Sequence, residues 1–131
     1  MNTQKGEVKG FMNVGRRRVG ALQVGVILLT LATAGIHLYY STVASQGGPI
    51  FFLNGLGYMA LLATLYLPLP GLARFSRAVR RALLGYTALT VLLWLLMGDR
   101  VVIAYTDKII ETLLIVMLWV EVRTSARKGA P

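Results

Sequence analysis

The sequence predicts an all-α integral membrane protein, with four transmembrane helices in a compact bundle and both termini in the cytoplasm. Three observations carry the prediction. The chain is 56% hydrophobic and 15% charged, where soluble domains hold about a quarter charged residues. Its apolar residues gather in four continuous runs, at 20–40, 50–69, 82–98 and 106–122. Its basic residues concentrate in alternate connections between those runs.

The run 20–40, GALQVGVILLTLATAGIHLYY, carries no formal charge. At about 1.5 Å of rise per residue it reaches across a hydrocarbon core of about 30 Å. It is too long for the apolar core of a signal peptide. The run 50–69 follows Pro49, where a missing N–H costs a helix little, and Pro68 and Pro70 stop it. The run 82–98 ends at Asp99 and Arg100, and 106–122 is the least apolar of the four, with charges towards its ends. A membrane barrel would alternate apolar and polar residues in segments of about ten, whereas these runs are continuous. Inside lipid, a helix satisfies its own backbone within one span.

Orientation follows from Lys and Arg. The N-terminal arm, 1–19, carries Lys5, Lys9, Arg16, Arg17 and Arg18. The middle loop carries Arg74, Arg77, Arg80 and Arg81, and the tail, 123–131, carries Arg123, Arg127 and Lys128. The two other loops hold only Arg100 and Lys108. The positive-inside rule therefore places both termini and the middle loop in the cytoplasm. Arg74, Arg77 and Arg81 have helical spacing, so the middle loop is expected to lie on the membrane as a short basic turn. Its four arginines would then meet anionic lipid head groups. A short chain with no targeting segment suits a prokaryotic plasma (inner) membrane.

The same distribution accounts for the net charge of +9, so nucleic acid is not an expected partner. With no cysteine, disulfides, thiolate metal sites and Cys nucleophiles are excluded. No hydrolase elbow, HExxH or Walker lysine is present, and the chain is not expected to be an enzyme. Small multidrug transporters share this size and span count but carry a glutamate in the first span, where this chain has none.

The topology gathers polar residues at the outer ends of the spans. His37, the only histidine, lies about one turn from the outer end of the first. Asn54 and Tyr58 share a face of the second, and Asp107 and Glu111 share a face of the fourth. Thr30 and Thr33 fall on the face of His37, and Thr87, Thr90 and Trp94 on one face of the third. Polar faces should turn towards protein rather than lipid. The predicted cluster is His37, Asn54, Tyr58, Asp107 and Glu111.

Three roles compete for His37: a hydrogen-bonded structural residue, a ligand to a tetrapyrrole or metal, and a proton-handling partner of Glu111. No spacing demands a metal site. Glu111 reads either as an interfacial acid paired with Lys108 or as a cation or proton site. Glu121 is expected to pair with Arg123. Gly55 and Gly57 read as points of close helix approach. The expected function is a small non-catalytic subunit within a larger membrane assembly. The alternative is a homo-oligomeric transporter or channel for an ion or small solute, using the outer cluster. Membrane lipids and other subunits, or further copies of itself, are the expected partners.

Overall fold

The computed structural model describes residues 20–128, so the basic N-terminal arm lies outside the described residues. The chain forms four α-helices: α1 (Ala21–Val43), α2 (Gly48–Tyr66), α3 (Ser76–Met97) and α4 (Val102–Lys128). A short 3-10 turn, Ala73–Phe75, leads into α3. Three helices are long and apolar enough to cross a membrane: α1, α2, and α3 with its leading turn.

Local chemistry sets the boundaries. Helix α2 starts two residues before its apolar run, because Gly47 takes a left-handed φ of 78° and Pro49 sits in the first turn. It stops at Tyr66, since Leu67 precedes Pro68 and the residue before proline avoids the helical region. Helix α3 starts earlier than 82 and takes in Arg77, Arg80 and Arg81. These are strong helix formers, so the expected surface turn is shortened to the residues around Arg74. The tail beyond 122 continues α4 to Lys128, with Arg127 and Lys128 in the last turn facing the negative end of the helix dipole.

Contacts run from α1 to α2, α2 to α3, α3 to α4 and α4 back to α1, with the α2–α3 seam the loosest. The helices thus form an antiparallel ring. Val26, Ala34, Leu83, Leu114 and Leu118 fill its middle. Gly55 lets α1 and α2 close on each other, because a Cβ there would stand 2.8 Å from Leu38 Cγ and 3.1 Å from the Ala34 carbonyl oxygen. Gly57 likewise leaves room for the Tyr86 ring of α3.

Burial is inverted relative to a soluble domain. The buried set includes Thr30, Thr33, His37, Thr87, Asp107, Lys108, Glu111 and Glu121. Outward-facing residues include Leu28, Ile50, Leu53, Leu96, Met97, Ile109 and Val116, each more than half exposed. In water, charged side chains are almost never buried unless paired. An apolar exterior around a polar centre is the arrangement lipid favours, and the fold is that of a helical membrane protein.

Candidate functional site

The site begins with the face of α4. Asp107, Lys108 and Glu111 fall within one turn and all point into the bundle, where Glu111 is fully buried. Such charges require partners, since an isolated ion in an apolar interior costs many kcal/mol. Lys108 supplies the first. Its Nζ lies 3.0 Å from Asp107 Oδ2 and donates to Glu111 Oε2.

The other helices complete the shell. From α1, the Thr33 hydroxyl donates to Asp107 Oδ1 at 2.7 Å. From α2, the Tyr58 hydroxyl donates to Glu111 Oε1 at 2.7 Å. From α3, Thr90 Oγ1 lies 2.9 Å from the same oxygen. Glu111 therefore collects donors from α2, α3 and its own helix, and all four helices meet at one polar hub. Charge-assisted bonds of this kind are the stronger ones.

His37 joins from α1. Its Nδ1 lies 2.9 Å from the Thr33 carbonyl oxygen. A carbonyl only accepts, so Nδ1 carries a hydrogen and donates it. Its Nε2 stands 3.7 Å from Asp107 Oδ2. That gap is too wide for a direct hydrogen bond. Two carboxylates, Asp107 and Glu111, thus share one ammonium, that of Lys108.

His37, Asp107 and Glu111 each bring a ligand atom within 4.8 Å of the others. These three could hold a metal ion, but the Lys108 ammonium bridges the two carboxylates. A metal would have to displace it. Any group bound at His37 Nε2 would also meet Asp107 Oδ2, 3.7 Å away.

Above the hub lies a cavity of about 460 Å³. His37, Thr90, Asp107 and Lys108 contribute polar atoms to its lining, and most of the remaining lining is apolar or aromatic. Leu53 of α2 and Leu89 of α3 border it and are 66% and 51% exposed, so it opens sideways through the loose α2–α3 seam. Trp94, whose indole N–H donates to the Asp99 carbonyl at 2.9 Å, stands at its outer end.

Of the residues singled out in the sequence, the structure joins His37, Tyr58, Asp107 and Glu111 in one network. Asn54 stays apart. Its carbonyl oxygen accepts from the Tyr86 hydroxyl at 3.2 Å, while its side chain borders the cavity without entering the hub. Sequence reasoning missed Thr33 and Thr90 as members. Their spacing on the faces of His37 and Trp94 was the available signal. The expected pairing of Glu111 with Lys108 is present, but both side chains are buried rather than interfacial.

At the other end of the bundle, Glu121 pairs with Arg80 at 2.9 Å rather than with Arg123. Arg123 instead stacks over Trp119, at 4.7 Å from the ring centre. The Arg80 N–H is turned off the carboxylate line, so this contact is electrostatic rather than a linear hydrogen bond. Arg80 is thereby drawn inward, away from a lipid head-group position, while Arg74, Arg77 and Arg81 remain exposed. Glu121 reaches Arg80 because both face the α3–α4 seam, whereas Arg123 lies on the outer side of α4.

Fold and site together define a helical membrane protein built around a buried ionic cluster. Neither known protein families, curated proteins nor solved structures provide a match for the chain.

Proposed function

We propose that this chain crosses a prokaryotic plasma membrane four times, with both termini inside. In this reading it binds a cation or small solute at its outer-side cluster and passes it across the membrane as a homo-oligomer. The observation that carries the reading is the buried hub of two carboxylates and one ammonium, assembled by all four helices beneath a cavity open to the side.

The fourth crossing is supported by the orientation of α4. Its charges lower its mean hydropathy, yet Asp107, Lys108, Glu111 and Glu121 all face inward. Its outward residues are Ile109, Leu113, Val116, Trp119 and Val120. Because the natural chain has no cysteine, single cysteines report topology cleanly. Cysteines at Gln46 and Asp99 should react with an impermeant maleimide added to intact cells. A cysteine at Arg77 should react only after lysis. Labelling of Arg77→Cys from outside would reverse the orientation.

The closed core supports the homo-oligomer. Val26, Leu83, Leu114 and Leu118 are fully buried and fill the bundle middle, so a single copy offers a cavity without a through-path. In proteoliposomes the wild type should dissipate an imposed cation or proton gradient, and Glu111→Gln should slow this at least about tenfold. Glutamine keeps an accepting oxygen for Tyr58 and leaves Lys108 with Asp107, so the variant should still fold. Equal flux through wild type and variant would remove the transport role. The competing reading is a small non-catalytic subunit in a larger assembly. Extraction in mild detergent together with heavier, unlike chains would favour it, and a homo-oligomer would favour transport.

A further inference from the structure

The cavity's chemistry identifies its ligand class. We propose that it takes a lipophilic monovalent cation, an organic ammonium or phosphonium, with its charge held over Asp107 and its apolar body in the α2–α3 opening. The inference rests on reading the cluster as a cation or solute site and specifies the substrate class.

Four features favour such a cation. At about 460 Å³ the cavity falls in the range of small-molecule sites, roughly 300–1,000 Å³. Its walls include the rings of Tyr40, Phe51, Tyr86 and Trp94, and aromatic faces attract cations. Its charged lining is Asp99 and Asp107 against Lys108, with Glu111 directly behind Lys108. Arg100, the other cation near the outer end, is engaged: it stacks over Trp94 at 4.3 Å and donates to the Leu95 carbonyl at 2.9 Å.

The alternatives fit less well. An anion would need free donors, but Lys108 is turned to two carboxylates and His37 Nδ1 to a backbone carbonyl. The oxygen that faces His37 Nε2 at 3.7 Å is that of a carboxylate, Asp107, which repels an anion. A hard inorganic cation takes about six or more oxygens, and a mostly aliphatic and aromatic cavity does not supply them. The sideways opening, bordered by exposed Leu53 and Leu89, faces the phase in which a lipophilic molecule accumulates.

The test measures binding rather than flux. The chain has two tryptophans. Trp119 lies half-exposed on α4, away from the cavity lining, so Trp119→Phe leaves Trp94 as the sole reporter. In lipid-free detergent, Trp94 fluorescence is titrated with phenyltrimethylammonium, its neutral isostere tert-butylbenzene, and benzenesulfonate. The cation should bind saturably and at least about tenfold tighter than the neutral isostere, equivalent to about 1.4 kcal/mol. Asp107→Asn should weaken it about tenfold. If that variant does not fold, the three-ligand comparison on the unaltered cavity still decides.

Equal or tighter binding of tert-butylbenzene or benzenesulfonate would overturn the assignment. Displacement of the probe by phosphatidylethanolamine would do so too, making the cavity a lipid site. Probe binding without flux removes transport and leaves the cation cavity standing. Flux of inorganic cations without probe binding does the reverse.

Discussion

Replacing Lys108 with methionine should destabilise the bundle by about 3–5 kcal/mol, the cost of leaving a buried charge without its partner. Methionine nearly matches lysine in length and removes only the ammonium. Asp107 Oδ2 and Glu111 Oε2 would then face each other with nothing positive between them. The expected observation is a large fall in the unfolding midpoint in detergent. The diagnostic arm is Lys108→Met with Glu111→Gln, which removes one of the two unpaired buried charges. The double variant should recover roughly half the loss, a coupling that double-variant cycles resolve. If Lys108→Met alone is neutral, Lys108 does not bridge the carboxylates and the charge count of the hub is wrong.

The second large effect lies at the opposite end. Arg80→Met should cost about 3 kcal/mol, because it strands Glu121, which is 2% exposed, in the α3–α4 seam. Arg123→Met should cost well under about 1 kcal/mol by comparison, since Arg123 only stacks on an exposed tryptophan. This pair of variants separates the observed partner of Glu121 from its near neighbour in sequence. The Arg80 and Lys108 losses should add, because the two sites share no partner. Equal losses in Arg80→Met and Arg123→Met would remove the Arg80–Glu121 pair.

The helices were legible in the sequence because apolar run length is nearly a direct readout of span length. Pro49, Pro68 and Pro70 marked the limits of α2 to within a few residues. The start of α3 was not legible from hydropathy, because arginines lower the average while favouring the helix. Half of the hub could be read from periodicity alone: His37, Tyr58, Asp107 and Glu111 each sat on a predicted inner face. The burial of Lys108 and the partner of Glu121 could not. Each had a nearer or more conventional solution, an interfacial place for the Lys108–Glu111 pair and Arg123 for Glu121. Choosing between them depends on how the helices rotate about their axes. That rotation is set by contacts such as Gly55 against Leu38, which are distant in sequence.

The inward charges of α4 also bear on how the protein is made. A helix bearing Asp107, Lys108, Glu111 and Glu121 is a poor candidate for entering lipid alone, since each such residue near mid-span costs about 2.5–3.5 kcal/mol on insertion scales. Of the four described helices it is also the last to leave the ribosome. Thr33 and His37 of α1, Tyr58 of α2, and Arg80 and Thr90 of α3 are by then available to receive it. On the four-span reading, α4 enters the bilayer as a guest of its three predecessors. The hub that serves the site is then also the template on which biogenesis finishes.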